Sequence, residues 1–87
     1  MTVEKLKTKV VQLVSELFAN KEFDTDIIEY VDLIDDLGLD SITFISIVVE
    51  IEAKFSITVP DEMLLMENFR KIDDIVNVVE QERIKQS

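Results

Sequence analysis

Apolar residues recur along this 87-residue chain mostly at the three- and four-residue spacings of amphipathic helices. Val3, Leu6, Val10, Leu13, Val14 and Leu17 form one stripe. They predict a first helix over 3–19, with Thr2 as its cap and Asn20 as a left-handed stop. Phe44, Ile47, Val48, Ile51 and Phe55 recur at i, i+3, i+4, i+7 and i+11. The β-branched content of 42–51 also suits a strand, but the spacing favours a helix, placed at 41–55 with Asp40 or Ser41 capping it. Pro60 followed by Asp61 and Glu62 has the pattern of a first helical turn and predicts a short third helix over 61–66. Ile72, Ile75, Val76 and Val79 predict a last helix over 72–84, with 83–87 frayed. The expected fold is all-α: a small four-helix bundle in a single domain, 1–87, with a long first loop and a short third helix.

Two segments depart from a simple bundle pattern. Residues 22–40 hold eight acids and no base, with Phe23, Ile27, Ile28, Tyr30, Val31, Leu33, Ile34, Leu37 and Leu39 scattered among them. A connection of that length in a small domain is commonly functional, and its apolar residues predict that it packs across the core. A short helix near 25–29 or 34–37 fits the same stretch. The second departure lies in the helix over 41–55. With Phe44 as zero and 100° per residue, Ile45, Val49 and Ile42 fall at about 100°, 140° and 160°, nearly opposite the core stripe. Either the bundle or the long loop buries both faces, or the three side chains form a partner-docking patch rimmed by acids such as Glu50, Glu52 and Glu62.

Composition narrows the chemistry. Hydrophobic residues make up 47% and charged residues 32%, which suits a folded domain. The chain has no Cys and no His, so disulfides, thiolate and imidazole catalysis and most zinc sites are excluded. Nineteen acids against nine bases give a net charge of −10, which repels nucleic acid and anionic membrane surfaces. No apolar run is long enough to span a bilayer or to serve as a signal segment, so a cytoplasmic protein is expected; a monomer is expected as well. The acidic loop does not fit a calcium-binding EF-hand. Counting from Asp24, positions 5 and 6 are Ile28 and Glu29; counting from Asp32, positions 3 and 6 are Ile34 and Leu37. No metal site is assigned.

Asp36-Leu37-Gly38-Leu39-Asp40-Ser41-Ile42 resembles the D-x-G-x-D-S-[LI] signature of acyl and peptidyl carrier proteins. Glu50-Ile51-Glu52-Ala53-Lys54-Phe55-Ser56-Ile57-Thr58-Val59-Pro60 is similar to the family's E-x-x-F-x-I-x-[IV]-P continuation, and 72–76 resembles the start of its last helix. The resemblance covers nearly the whole chain. It implies a four-helix carrier, itself not an enzyme, whose Ser41 receives 4′-phosphopantetheine from coenzyme A through a transferase that needs Mg²⁺. The arm then holds an acyl or aminoacyl group as a thioester. Asp40 and Gly38 would flank the attachment point. Asp36, Ile42, Ile45, Val49, Glu50, Glu52 and Glu62 would meet the transferase and the acyl-transferring, condensing or adenylating enzymes, through basic partner surfaces. An imported thiol accords with a chain that has no Cys of its own.

From the residues alone, Asp40-Ser41 is equally a good cap pair, and Asp36 and Asp40 are equally solvated loop acids. Gly38 supplies a tight turn on either reading. Met63, Leu64, Leu65 and Met66 fit core and groove lining better than a dedicated cofactor box. The chain also departs from the fatty-acid-synthesis carriers it resembles. Those usually have an acid five residues after the modified Ser, where this chain has Ser46, and many have Asp where it has Thr43. That departure points to a specialised pathway, polyketide or other secondary, over fatty acid biosynthesis. The alternatives are a peptidyl or aminoacyl carrier and an unmodified helical adaptor using the Ile42, Ile45 and Val49 patch. Arg70-Lys71 sits where the family often starts its last helix with Thr-Val, which leaves that boundary open. With so large an excess of acids, added salt or Mg²⁺ is expected to raise Tm at neutral pH by screening acid–acid repulsion, measurable by thermal melts across ionic strength.

Overall fold

The computed structural model describes residues 3–18, 28 and 30–86. Among the described residues, three α-helices carry the fold: α1 (Val3–Leu17), α2 (Ser41–Phe55) and α3 (Ile72–Gln86). There is no strand among the described residues. The expectations for Thr2, Asn20, Phe23, Ile27 and a helix near 25–29 fall outside the described residues, Ile28 excepted.

The amphipathic stripes account for the packing. Helix α1 buries Leu6, Val10, Leu13 and Val14, and Phe18 just beyond it is also buried. Helix α2 buries Ile47, Val48, Ile51 and Phe55. Helix α3 buries Ile72, Ile75, Val76, Val78 and Val79. Helix α1 lies against both of the others, most extensively against α3, and α2 and α3 meet over a smaller area. The loop before α2 closes one side of the core with Ile28, Leu33 and Leu39, all buried. Its 34–37 stretch is a hydrogen-bonded turn, not a helix, in which Asp36 and Gly38 donate to the carbonyls of Asp32 and Ile34.

The expected third α-helix is corrected, and the count of four is not found among the described residues. Residues 61–69 form two 3₁₀ turns, Asp61–Met63 and Met66–Phe69, separated by an extended Leu65. The physical reason is length and pattern. A segment this short gains too few hydrogen bonds to repay helix nucleation, and four consecutive apolar residues provide no helical stripe. Its carbonyls find other donors: Asn68 Nδ2 donates to Met63 O at 3.2 Å. Phe69 at its end is fully buried and meets half-buried Phe44 edge-on, with ring centroids 5.2 Å apart.

Helix α2 stops at Ser56, which adopts left-handed φ 54° and ψ 46°. The N–H groups of Ser56 and Ile57 both reach Glu52 O. Ile57 and Val59 then point inward, while Thr58 faces out. Helix α3 continues past the predicted residue 84 into the stretch expected to fray, because Gln86 is tied down. Its side-chain amide accepts from Thr58 N–H at 3.0 Å and donates to Thr58 O at 2.9 Å, and it also donates to buried Glu82. Glu82 holds its other oxygen 3.5 Å from the Lys85 ammonium.

Two substitutions test these ends. Gln86→Ala removes both bonds to Thr58 and is expected to cost about 1 kcal/mol, a fall in Tm of several degrees. Ser56→Gly relieves the left-handed backbone and is expected to add about 0.5 kcal/mol, read as a small rise in Tm.

Candidate functional site

The site is built where the acidic loop turns into α2. Asp32 starts the turn: its Oδ1 accepts the N–H groups of Ile34 and Asp35, both at 2.9 Å. Asp36 Oδ2 reaches back to accept the Asp32 N–H at 2.8 Å, so the two acids cap the turn reciprocally. Gly38, at φ 65°, reverses the chain, and Leu39 N–H returns to Leu33 O at 2.9 Å. A side chain at Gly38 would oppose that positive φ. The reversal sets Asp40 extended (φ −106°, ψ 177°) as the N-cap of α2. Its Oδ1 accepts the Thr43 N–H at 2.8 Å and its carbonyl accepts the Phe44 N–H.

Ser41 is therefore the first residue of the helix, and it is exposed. Helix geometry leaves the first-turn N–H groups without intrahelical acceptors, and the dipole favours an anion there by about 0.3–1 kcal/mol. An exposed hydroxyl beside such donors fits a phosphodiester linkage. The neighbouring Asp40 charge opposes one, although it is partly engaged by the Thr43 N–H.

Arg70, absent from the sequence-based site, holds the loop against the start of α3. Its Nη1 lies 2.7 Å from Asp32 Oδ2 and 3.1 Å from Asp35 Oδ2, and its carbonyl accepts the Leu33 N–H. The signal available in the sequence was the run of eight acids without a base, which calls for a cation from another segment. Partial burial opposes charge on Asp32, but the N–H groups of Asp35 and Ile34 and the Arg70 guanidinium outweigh it. Its carboxyl is held below the usual range. The hydrogen bond to Asp32 in turn holds the Arg70 guanidinium above its ordinary value.

Along α2, Ile42, Ile45 and Val49 are 79%, 59% and 54% exposed, on the side away from Ile47, Val48 and Ile51. The structure thus excludes burial of the second stripe, which faces outward. Ser46 lies beside it and donates to Ile42 O at 3.0 Å. Glu50 and Glu62 are exposed, as are Asp36, Gly38 and Asp40. Glu52 is half-buried and one of its oxygens accepts the Val59 N–H at 2.8 Å, so it is bound into the fold. Met63, Leu64 and Met66 are half-buried against the core, and Leu65 is exposed. Among the described residues, no cluster of three or more potential ligands is arranged to hold a metal ion, and no helix is long and apolar enough to cross a membrane.

The profile of the phosphopantetheine attachment site family matches residues 8–79, a range that contains this turn and Ser41. The chain belongs to that carrier family. An acyl carrier protein of Rickettsia bellii is 29% identical over 83 residues, covering 93% of this chain and 95% of that carrier. One from Thermotoga maritima is 34% identical over 77 residues, 88% of this chain and 90% of its own length. One from Kocuria rhizophila is 41% identical over 46 residues, and there the chain spans about half of the relative, 54%. No solved structure is a significant match.

The Asp32–Arg70 tie has a pH signature. Because the folded carboxyl titrates below its unfolded value of about 3.9, its stabilisation is full above that pH. It is lost as pH falls through the lower, folded value. Asp32→Asn keeps the turn acceptor and removes the charge, so it is expected to lower Tm at pH 7. The difference from wild type should narrow as pH falls below about 4, checked by thermal melts at each pH.

Proposed function

We propose that this chain is an acyl carrier protein that holds its cargo on 4′-phosphopantetheine attached to Ser41. The observation that carries the reading is the exposed Ser41 hydroxyl on the first residue of a capped helix, inside the segment that matches the attachment-site family. The group, once bound, supplies the thiol on which an acyl chain is held as a thioester.

The chain's own residues do the positioning. Gly38 and Asp40 set the register so that Ser41 opens the helix and its Oγ faces solvent, where a transferase can reach it. The first-turn dipole favours the phosphodiester charge. The core stripe of α2 fixes the helix that bears the serine. Asp36, Asp40, Glu50 and Glu62 offer negative charge to basic partner surfaces around the apolar Ile42, Ile45 and Val49. Glu52 contributes less to such contacts, since one oxygen is held by Val59. The role is presentation, and the chemistry on the cargo belongs to the partners.

The uncharged Thr43 and Ser46 on α2 support service in a specialised pathway, polyketide or other secondary, over the fatty-acid system. Carriers of different cargo share one fold, so the fold does not separate an acyl from an aminoacyl load.

Incubation with coenzyme A, Mg²⁺ and a broad-specificity phosphopantetheinyl transferase is expected to raise the intact mass by one phosphopantetheine per chain. Ser41→Ala should remain unmodified with an unchanged melting profile. A wild-type chain that gains no mass, or a Ser41→Ala chain that still does, would leave an adaptor without a prosthetic group as the better reading.

A further inference from the structure

The crowded charge before α2 is answered from one place. Residues 32–40 carry Asp32, Asp35, Asp36 and Asp40 and no base. Arg70 meets the first two through one nitrogen, Nη1, at 2.7 Å and 3.1 Å, and its carbonyl accepts the Leu33 N–H at 2.6 Å. The mount for these bonds is firm. Arg70 lies between Phe69 and Ile72, both fully buried. Its neighbour Lys71 donates its N–H to Asp74 Oδ2 at 3.2 Å as α3 begins. From Leu33 the grip passes on through one further bond, Leu39 N–H to Leu33 O at 2.9 Å, between two buried residues. Asp40 follows directly. Two main-chain hydrogen bonds and one peptide link therefore join Arg70 to the residue that caps α2.

That cap has a competitor in the next residue. Asp and Ser are about equally good N-caps, so α2 can start behind Asp40 or, one residue later, behind Ser41. In the observed start, Asp40 Oδ1 accepts the Thr43 N–H and Asp40 O accepts the Phe44 N–H. In the later start, Ser41 becomes extended, its Oγ turns back to accept the Phe44 N–H, and the Thr43 N–H opens to water. Only one residue peels away, because Ile47, Val48 and Ile51 stay anchored in the core. The chemical difference is larger. A serine oxygen that holds a first-turn N–H has a lone pair engaged and is folded against the helix, so it is a poorer nucleophile. Four carboxylates held close in a tight turn repel one another and favour the looser start. Arg70 opposes it by compensating two of them and fixing Leu33.

Resting on the carrier reading, we infer that Arg70 is a positioning residue for Ser41. Its tie to Asp32 and Asp35 selects the start in which Asp40 caps α2 and the Ser41 hydroxyl stays clear of the capping bonds. Arg70 acts through the loop and not on the reacting atoms. In the transfer, Ser41 Oγ bonds to the pantetheine-bearing phosphorus of coenzyme A and its proton passes to the transferase. Adenosine 3′,5′-bisphosphate leaves with the electron pair of the broken P–O bond.

The test follows transfer from coenzyme A to the chain by a purified transferase with Mg²⁺, beside amide exchange read by NMR. Arg70→Gln removes the charge and leaves the main-chain bond to Leu33. It is expected to lower kcat/KM about fivefold, mainly by raising KM, since fewer chains present a free hydroxyl while those that bind react as before. The Thr43 amide should lose protection while those of Val76 and Val79 on α3 keep theirs. Arg70→Lys keeps the charge but gives up the guanidinium geometry, so it should show both changes in smaller degree. It also secures the test if Arg70→Gln folds poorly. In a chain already carrying Asp32→Asn and Asp35→Asn, Arg70→Gln should cause no further loss. An undiminished kcat/KM in Arg70→Gln overturns the inference. So does a loss that persists in the Asn background, which would make Arg70 a contact for the transferase, or a loss that leaves Thr43 as protected as before. A loss of protection shared equally by Thr43, Val76 and Val79 would reduce Arg70 to a general stabiliser and overturn it too. Failure of the wild type to gain mass would instead remove the carrier reading on which the inference rests.

Discussion

Where α2 begins is fixed by an unbroken series of short-range hydrogen bonds from Asp32 to Phe44, and the rest of the site depends on that start. Asp32 and Asp36 close the turn, Gly38 reverses it, and Asp40 receives the Thr43 and Phe44 N–H groups. A shift of one residue in this series would rotate α2 by about 100° and turn its apolar stripe out of line with the core. The series is acidic and would repel itself if left alone. Arg70 resolves this by gripping Asp32 and Asp35 from the far side of the loop, and its carbonyl holds Leu33 in register. One cation thus joins the approach to α2 to the start of α3.

Helix α2 then has two apolar faces with different obligations. Its inner face is committed to the core through Ile47, Val48, Ile51 and Phe55. Its outer face is left to water at a standing cost, since aliphatic side chains gain by leaving it. A fold selected for stability alone would place polar residues there. The inner face holds the helix in place against the core, while the outer face stays in water.

Much of this was legible from spacing. The inner stripe of α2, a cap at Asp40 or Ser41 and the turn at Gly38 come from residue type and interval, because local chemistry decides them; the structure chose Asp40. The outward direction of Ile42, Ile45 and Val49 could be narrowed to two readings, but only packing could choose between them. The 61–66 segment misled because Pro60 with two acids after it is a sound helix start, while the apolar run from Met63 to Met66 gives no stripe to propagate it. Arg70 was hidden for another reason. Its partners lie 38 and 35 residues away, and pairing across such intervals is a product of the fold. Glu82 and Gln86 were hidden likewise, since nothing in the local pattern announces a bond to Thr58.

The amide of Gln86 does something further at Thr58. Residues 57–59 lie outside the helices and are alternately buried, exposed and buried, as along a strand, and such a segment at a surface offers its peptide groups as a template for a foreign strand. Gln86 occupies both the donor and the acceptor of Thr58, and Glu52 occupies the next donor, at Val59. Two side chains thereby stand in for the neighbouring strand that an all-helical protein lacks. Besides holding the molecule folded, they leave another copy less unpaired backbone to join.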